Sequence, residues 1–322
     1  MTTAAHELEQ HLLGRETVEK SSLENAILAY LSGTDPDTAA QSAGVSIDHL
    51  ARAADRYRAA GLATLAPTVG WAQINVEFTN YAEAEDAFRK GLWPTLQSQP
   101  WWFVRKTPCW RLRYPATHGV PDGLRAALEE MTQGGVLRRW DEAIYEPETT
   151  AFGGPDGIEA VHELHRADAA GLFAYLDAAA VPTYDGPGRS VASLMVLSHL
   201  MRAAGLEWTE QGDVWARVES QRPPAPITAD QAAALATNAR EPLAADLTVL
   251  IENDPRFTGL STWATGMHTA GNRLVELHRS GGLQTGLREV LARAVIFCWN
   301  RVGFTAEQQA VWAHAARLAI MD

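Results

Sequence analysis

The chain has 322 residues, 46% hydrophobic and 20% charged, and carries a formal net charge of −12. This is ample for a packed core in one large or two modest domains, and the acidic balance argues against a general nucleic-acid binder, whose phosphate contacts need a basic surface. No apolar run approaches the roughly 20 residues that span a bilayer, and MTTAAHELEQ at the start lacks the pattern of a secretion signal, so a cytoplasmic protein with no membrane partner is expected.

Cys109 and Cys298 provide neither a disulfide framework nor spaced metal ligands, and both are expected to be half-buried, unreactive thiols. In chain order, residues 22–64 show three short helical patterns separated by GTDPD and GVS, so residues 1–66 are read as a small helix-turn-helix-like module. Its last helix balances Arg52, Arg56 and Arg58 against Asp48 and Asp55, which favours docking or scaffolding over DNA binding. Residues 67–322 form the second domain. A strand over 70–79 alternates Trp71, Gln73, Asn75 and Glu77 with Ala72, Ile74, Val76 and Phe78. A helix over 81–92, strands at 101–106 and 109–115, a helix over 121–132 and a strand over 136–142 complete a β-α-β-β-α-β order. The fold class is therefore α+β, with a ferredoxin-like antiparallel sheet. From 156 onward the pattern turns helical, and five to seven helices are expected to pack on the open sheet face and close a pocket.

Between residues 100 and 140 seven cations face three acids, so an acidic or carbonyl-rich ligand could be met there. In CWRLRY the period of two places Cys109, Arg111 and Arg113 on one side, with the two guanidiniums about 7 Å apart. With Gln73 and Asn75 they make a polar wall able to orient a peptide or its carboxylates. The competing reading is an internal ion pair with Glu77, Glu146 or Glu148. In YEPETTAFGG, Tyr145, Glu146 and Glu148 are candidate proton donors or acceptors, or equally a staple to the nearby arginines. Gly153 and Gly154 permit a sharp turn into a helix starting near Pro155, and a helix N-terminus aimed inward would suit an anion or carbonyl. His162 and His165 have a metal-compatible i, i+3 spacing but no evident third ligand, so no metal and no cofactor are expected. The tryptophans, Trp102, Trp263 and Trp299 among them, read mainly as core, with one or two able to line a site.

WWFVRKTPCWRLRY, YEPETTAFGGPDGIEAVHELHRAD, AAGLEWTEQGDVWARV and FCWNRVGF together resemble the thiopeptide-type bacteriocin biosynthesis domain, which is related to the C-terminal elimination domain of class I lanthipeptide dehydratases. The resemblance spans about residues 70–320. It implies either removal of glutamate from glutamylated Ser or Thr, or a formal [4+2] aza-cycloaddition of two dehydroalanines that forms a pyridine and expels the leader. Elimination-type members place a histidine just before an Asn-Arg pair; here Asn300-Arg301 follows Ile296, Phe297, Cys298 and Trp299. That departure favours a pyridine synthase, with a glutamate-eliminating lyase as the alternative and a non-catalytic leader-peptide-binding protein as the third reading. Under the resemblance, Arg111, Arg113, Tyr145, Glu146 and Glu148 carry the chemistry, and Gln73, Asn75, Trp299, Asn300 and Arg301 bind substrate. The partner is a precursor peptide with its leader, beside other biosynthetic enzymes.

Overall fold

The computed structural model describes residues 22–65, 70–97, 99–116 and 119–322. The chain divides between Val69 and Gly70 into two units, each with its own core. In the first, helix α1 covers 22–31, α2 Pro36–Ala43 and α3 Ile47–Leu65. The carboxylate of Asp35 caps α2 by accepting from the Thr38 amide at 3.1 Å, and Gly44 ends it at φ 66°, a conformation that costs glycine nothing. Ala26, Ile27, Ala39, Ala40, Leu50 and Ala54 are the buried contacts between these helices. The expected boundary at 66/67, and residues 1–21 of the expected module, lie outside the described residues.

The second unit starts with the predicted alternation made real. Strand β1 (Trp71–Phe78), helices α4 (Ala84–Gly91) and α5 (Trp93–Leu96), strands β2 (Trp102–Lys106) and β3 (Cys109–Pro115), helix α6 (Asp122–Gln133) and strand β4 (Leu137–Ile144) follow in order. The strands form one antiparallel sheet in the order β2-β3-β1-β4, the ferredoxin-like arrangement. One face is apolar. Ile74, Val76, Phe103, Trp110 and Leu112 are buried there with Phe88 of α4 and Leu128 of α6. Phe88 stacks on Phe103 at 5.7 Å and Trp110 at 5.0 Å, so this side of the sheet is held largely by aromatic burial.

Eight helices come next among the described residues, more than the expected range: α7 (Pro155–Ala179), α8 (Arg189–Ala203), α9 (Trp208–Ser220), α10 (Ala229–Ala244), α11 (Leu247–Asn253), α12 (Ser261–Ser280), α13 (Leu287–Val302) and α14 (Ala306–Met321). None is long and apolar enough to cross a membrane. They meet the sheet through α7 and α13, both against β2. The C-terminal half of α7 sends Phe173 into the aromatic stack and Asp177 to Arg89 and Trp93. Glu85 of α4 forms a second fastening. Its carboxylate takes Arg105 of β2 and Arg189 of α8, while Arg105 also donates to the Arg301 carbonyl at 2.7 Å and Arg189 to the Val302 carbonyl at 3.1 Å. The helices thus cover the polar sheet face at its β2 end. Arg139 and Asp141 farther along stay exposed, and Asn75 and Arg111 are half-exposed.

Candidate active site

On the polar face the register pairs Gln73 with Arg113 and Asn75 with Arg111, so the expected wall exists. Hydrogen bonds run along it: Arg113 Nε donates to Gln73 Oε1 at 3.1 Å, Gln73 Nε2 to Asn75 Oδ1 at 3.1 Å, and Asn75 Nδ2 to Asp141 Oδ2 at 3.0 Å. Glu77 is taken by Arg139 and Arg138 at 2.9 and 3.3 Å, which removes it as the internal counter-ion of Arg111 or Arg113. Arg113 is 4% exposed. Its guanidinium lies between the rings of Trp102 and Tyr145, 4.2 and 4.4 Å from their centroids. Burial pulls its pKa down to about 10, despite the opposing influence of Tyr145 and Glu148. Cation–π contacts offset part of the desolvation, but the group touches no carboxylate among the described residues.

Tyr145 arrives from the segment after β4. Beyond it the backbone turns through Gly153 at φ 85° and Gly154 at φ 92°, and α7 begins with Pro155 at its first position. The start of α7 is packed rather than open: a Cβ on Gly154 would meet the Gln284 side chain at 2.5 Å. Two turns in, α7 presents His162, His165 and Asp168 at i, i+3 and i+6, on one face. His162 Nε2 lies 2.9 Å from the Tyr145 hydroxyl. The His162 ring is 5.0 Å from Trp71 and 5.8 Å from Trp102. His165 packs 4.6 Å from Trp102 and 5.2 Å from Phe297, nearly parallel to the latter. From α13, Arg301 pairs through Nε with Asp168 and approaches His165 Nδ1 with Nη2 at 3.0 Å; Trp263 Nε1 donates to the other Asp168 oxygen at 2.8 Å.

Burial first, and the Arg113 charge second, lower the pKa of His162 to about 4. Burial, followed by Arg301, His162 and Arg113, holds His165 well below its ordinary value, so both imidazoles are neutral at pH 7. Burial raises the Tyr145 phenol, which keeps its proton. Five buried nitrogens around this cluster have no hydrogen-bond partner among the described residues: Arg113 Nη1, Trp102 Nε1, His162 Nδ1, His165 Nε2 and Arg301 Nη1. A buried polar atom left alone costs about 1–3 kcal/mol, and five in one cluster are groups that a polar guest would satisfy.

The rings of Tyr145 and Trp102 lie against the Arg113 guanidinium, and cavities of about 220, 370 and 310 Å³ elsewhere in the second unit are lined by other residues. Among the remaining predicted residues, Arg111 is half-exposed at the wall's outer part, and Glu146 and Glu148 are exposed, with Glu148 near enough to be felt by Arg113 and Tyr145. Trp299 and Asn300 do not join the cluster. Trp299 is fully buried, stacked on Trp215 and donating to Ser193, while Asn300 accepts from Gln309 at 2.8 Å. Each helical step turns about 100°, so Phe297 and Arg301 face α7 while Trp299 and Asn300 between them do not. Cys298 is fully buried rather than half-buried, its sulfur 3.5 Å from Arg301 Nη2. The sequence reading weighed His162 and His165 only as metal ligands and did not consider Asp168; the signal for their cluster was their shared spacing on one helix.

No curated protein matches the chain. The tRNA-dependent lantibiotic dehydratase MibB from Microbispora sp. 107891 has a similar fold, with TM-score 0.59 and 17% identity over 79% of this chain. The chain spans 28% of that enzyme's length. Residues 71–320 match the family described as lantibiotic biosynthesis dehydratase C-term, and the chain belongs to that family.

Proposed function

We propose that this protein is a glutamate-eliminating lyase that makes dehydroalanine or dehydrobutyrine in a ribosomal precursor peptide. The observation that carries this reading is Arg113: a buried guanidinium with no carboxylate in contact and one nitrogen unpartnered among the described residues. Such a group suits a carboxylate-bearing substrate, held by charge-assisted hydrogen bonds. A glutamylated Ser or Thr brings that carboxylate, whereas a peptide with two dehydroalanines offers no anion there. The absence of a histidine before Asn300-Arg301, which favoured the cyclase, loses weight because His162 and His165 stand beside Arg113 and Arg301.

In this mechanism Arg113 binds the glutamyl group. His162 takes the α-proton on Nδ1, with Nε2–H donating to the Tyr145 hydroxyl. The C–H electron pair becomes the Cα=Cβ bond, the Cβ–O bond breaks, and glutamate leaves as its carboxylate. Arg113 is part of what holds His162 at about pKa 4, so a bound carboxylate that neutralises Arg113 makes the imidazole a better base.

The test is mass spectrometry of the full chain incubated with a glutamylated peptide. Loss of glutamic acid from wild type, abolished by Arg113→Met, is the expected result. Release of a leader and a macrocycle from a bis-dehydroalanine peptide would establish the pyridine synthase instead. Tight binding of either peptide with no mass change would leave the leader-binding reading.

A further inference from the structure

We infer that His165 is a second catalytic imidazole with a task different from that of His162: a fixed N–H donor to the carbonyl oxygen that gains negative charge when the α-proton leaves. This deepens the eliminase reading and rests on it. A guanidinium has only N–H groups to offer, so the 3.0 Å contact between Arg301 Nη2 and His165 Nδ1 has one polarity: arginine donates and Nδ1 accepts. A neutral His165 therefore carries its proton on Nε2, and Nε2 is one of the buried, unpartnered nitrogens. His162 is not constrained in this way, because its neighbour is a hydroxyl that can give or take the bond. The two imidazoles thus divide into a proton acceptor and a proton-retaining donor.

Arg301 can impose this tautomer because it is itself immobilised. Asp168 takes its Nε, Trp263 holds the other oxygen of Asp168, and all four side chains are at most 1% exposed. Burial acts most strongly on Arg301 and lowers its guanidinium pKa, but Asp168 and then Cys298 together raise it above its ordinary value. Asp168, Trp263 and Arg301 are thus positioning residues, and the chain they form ends at the His165 Nε2–H. Of the rings around His165, those of Trp102 and Phe152 are buried and that of Phe297 is partly exposed, so the substrate carbonyl approaches past Phe297. An enolate-like oxygen met by a preorganised donor in a dry site is a standard means of lowering such a barrier.

Two measurements test this. The first is the ¹⁵N signature of His165 in the wild-type chain, expected to show a neutral ring with hydrogen on Nε2 from pH 6 to 8. The second compares His165→Phe, which fits the surrounding aromatic rings but has no donor, with His165→Gln, whose amide keeps an N–H near the Nε2 position. The phenylalanine variant is expected to lose on the order of 100-fold in kcat for glutamate release with little change in KM, and the glutamine variant less than about tenfold. An Nδ1–H ring, or a folded His165→Phe with kcat within about threefold of wild type, overturns the proposal while leaving the eliminase reading intact. If His165→Phe does not fold, the wild-type ¹⁵N spectrum and the glutamine variant decide. Absence of glutamate release from wild type removes the reading itself, and this assignment with it.

Discussion

Two buried guanidiniums stand on either side of the same histidine pair, and they are treated in opposite ways. Arg301 on α13 has its charge matched by Asp168, with Trp263 behind it. Arg113 on β3 has two aromatic faces and one amide oxygen, and no negative charge in contact. A permanent counter-ion makes an arginine part of the frame. One left without it keeps its binding capacity for something that comes and goes, at a cost in stability.

The strongest way to break this contrast is Asp168→Ala. It strands a fully buried charge and is expected to destabilise the second unit by about 3–5 kcal/mol in urea unfolding; a loss under about 1 kcal/mol would show that Arg301 is not framed as described. Arg113→Met should do the reverse. Its melting temperature is expected to hold or rise, while kcat/KM for glutamate release falls at least 100-fold, about 3 kcal/mol. Acid sharpens the picture next. His162 and His199 have ordinary values of 6.5 and are each lowered to about 4 by burial first. The unfolded chain therefore binds protons that the folded chain refuses, and stability should fall as pH drops from 6.5 towards 4, by on the order of 2 kcal/mol apiece after screening. His162→Phe should remove its share of that slope. Smallest is Asn300→Ala, which loses the bond from Gln309 and should cost about 1 kcal/mol in unfolding free energy with kcat/KM unchanged within about twofold.

The legible parts of this molecule are those governed by short-range geometry. Alternation in a strand is local, so the faces of Gln73, Asn75, Arg111 and Arg113 could be read from the residues, and the β-α-β-β-α-β order fixed which strands would adjoin. The glycine pair before Pro155 was equally local. What escaped depends on distant packing: His165 meets Arg301 across 136 residues, and Arg301 meets Asp168 across 133. Judged by spacing alone, the two histidines were a metal-compatible pair lacking a third ligand; judged by neighbours, one belongs to a phenol and the other to a guanidinium. Trp299 and Asn300 misled for the opposite reason, since adjacency along a helix is not adjacency in space. The rings of Trp102 and Tyr145 against Arg113 were not legible either, because their meeting is set by tertiary packing.

Glu85 has a wider bearing. One carboxylate on α4 answers to a strand and to a later helix, and both of its arginines also grip the carbonyls that finish α13. Residues 70–154 and 155–322 accordingly share a seam that neither can close alone. Scission between them would leave orphaned charges on both fragments, and the intact second unit should lose its structure in one concerted step, with no half-folded species on the way.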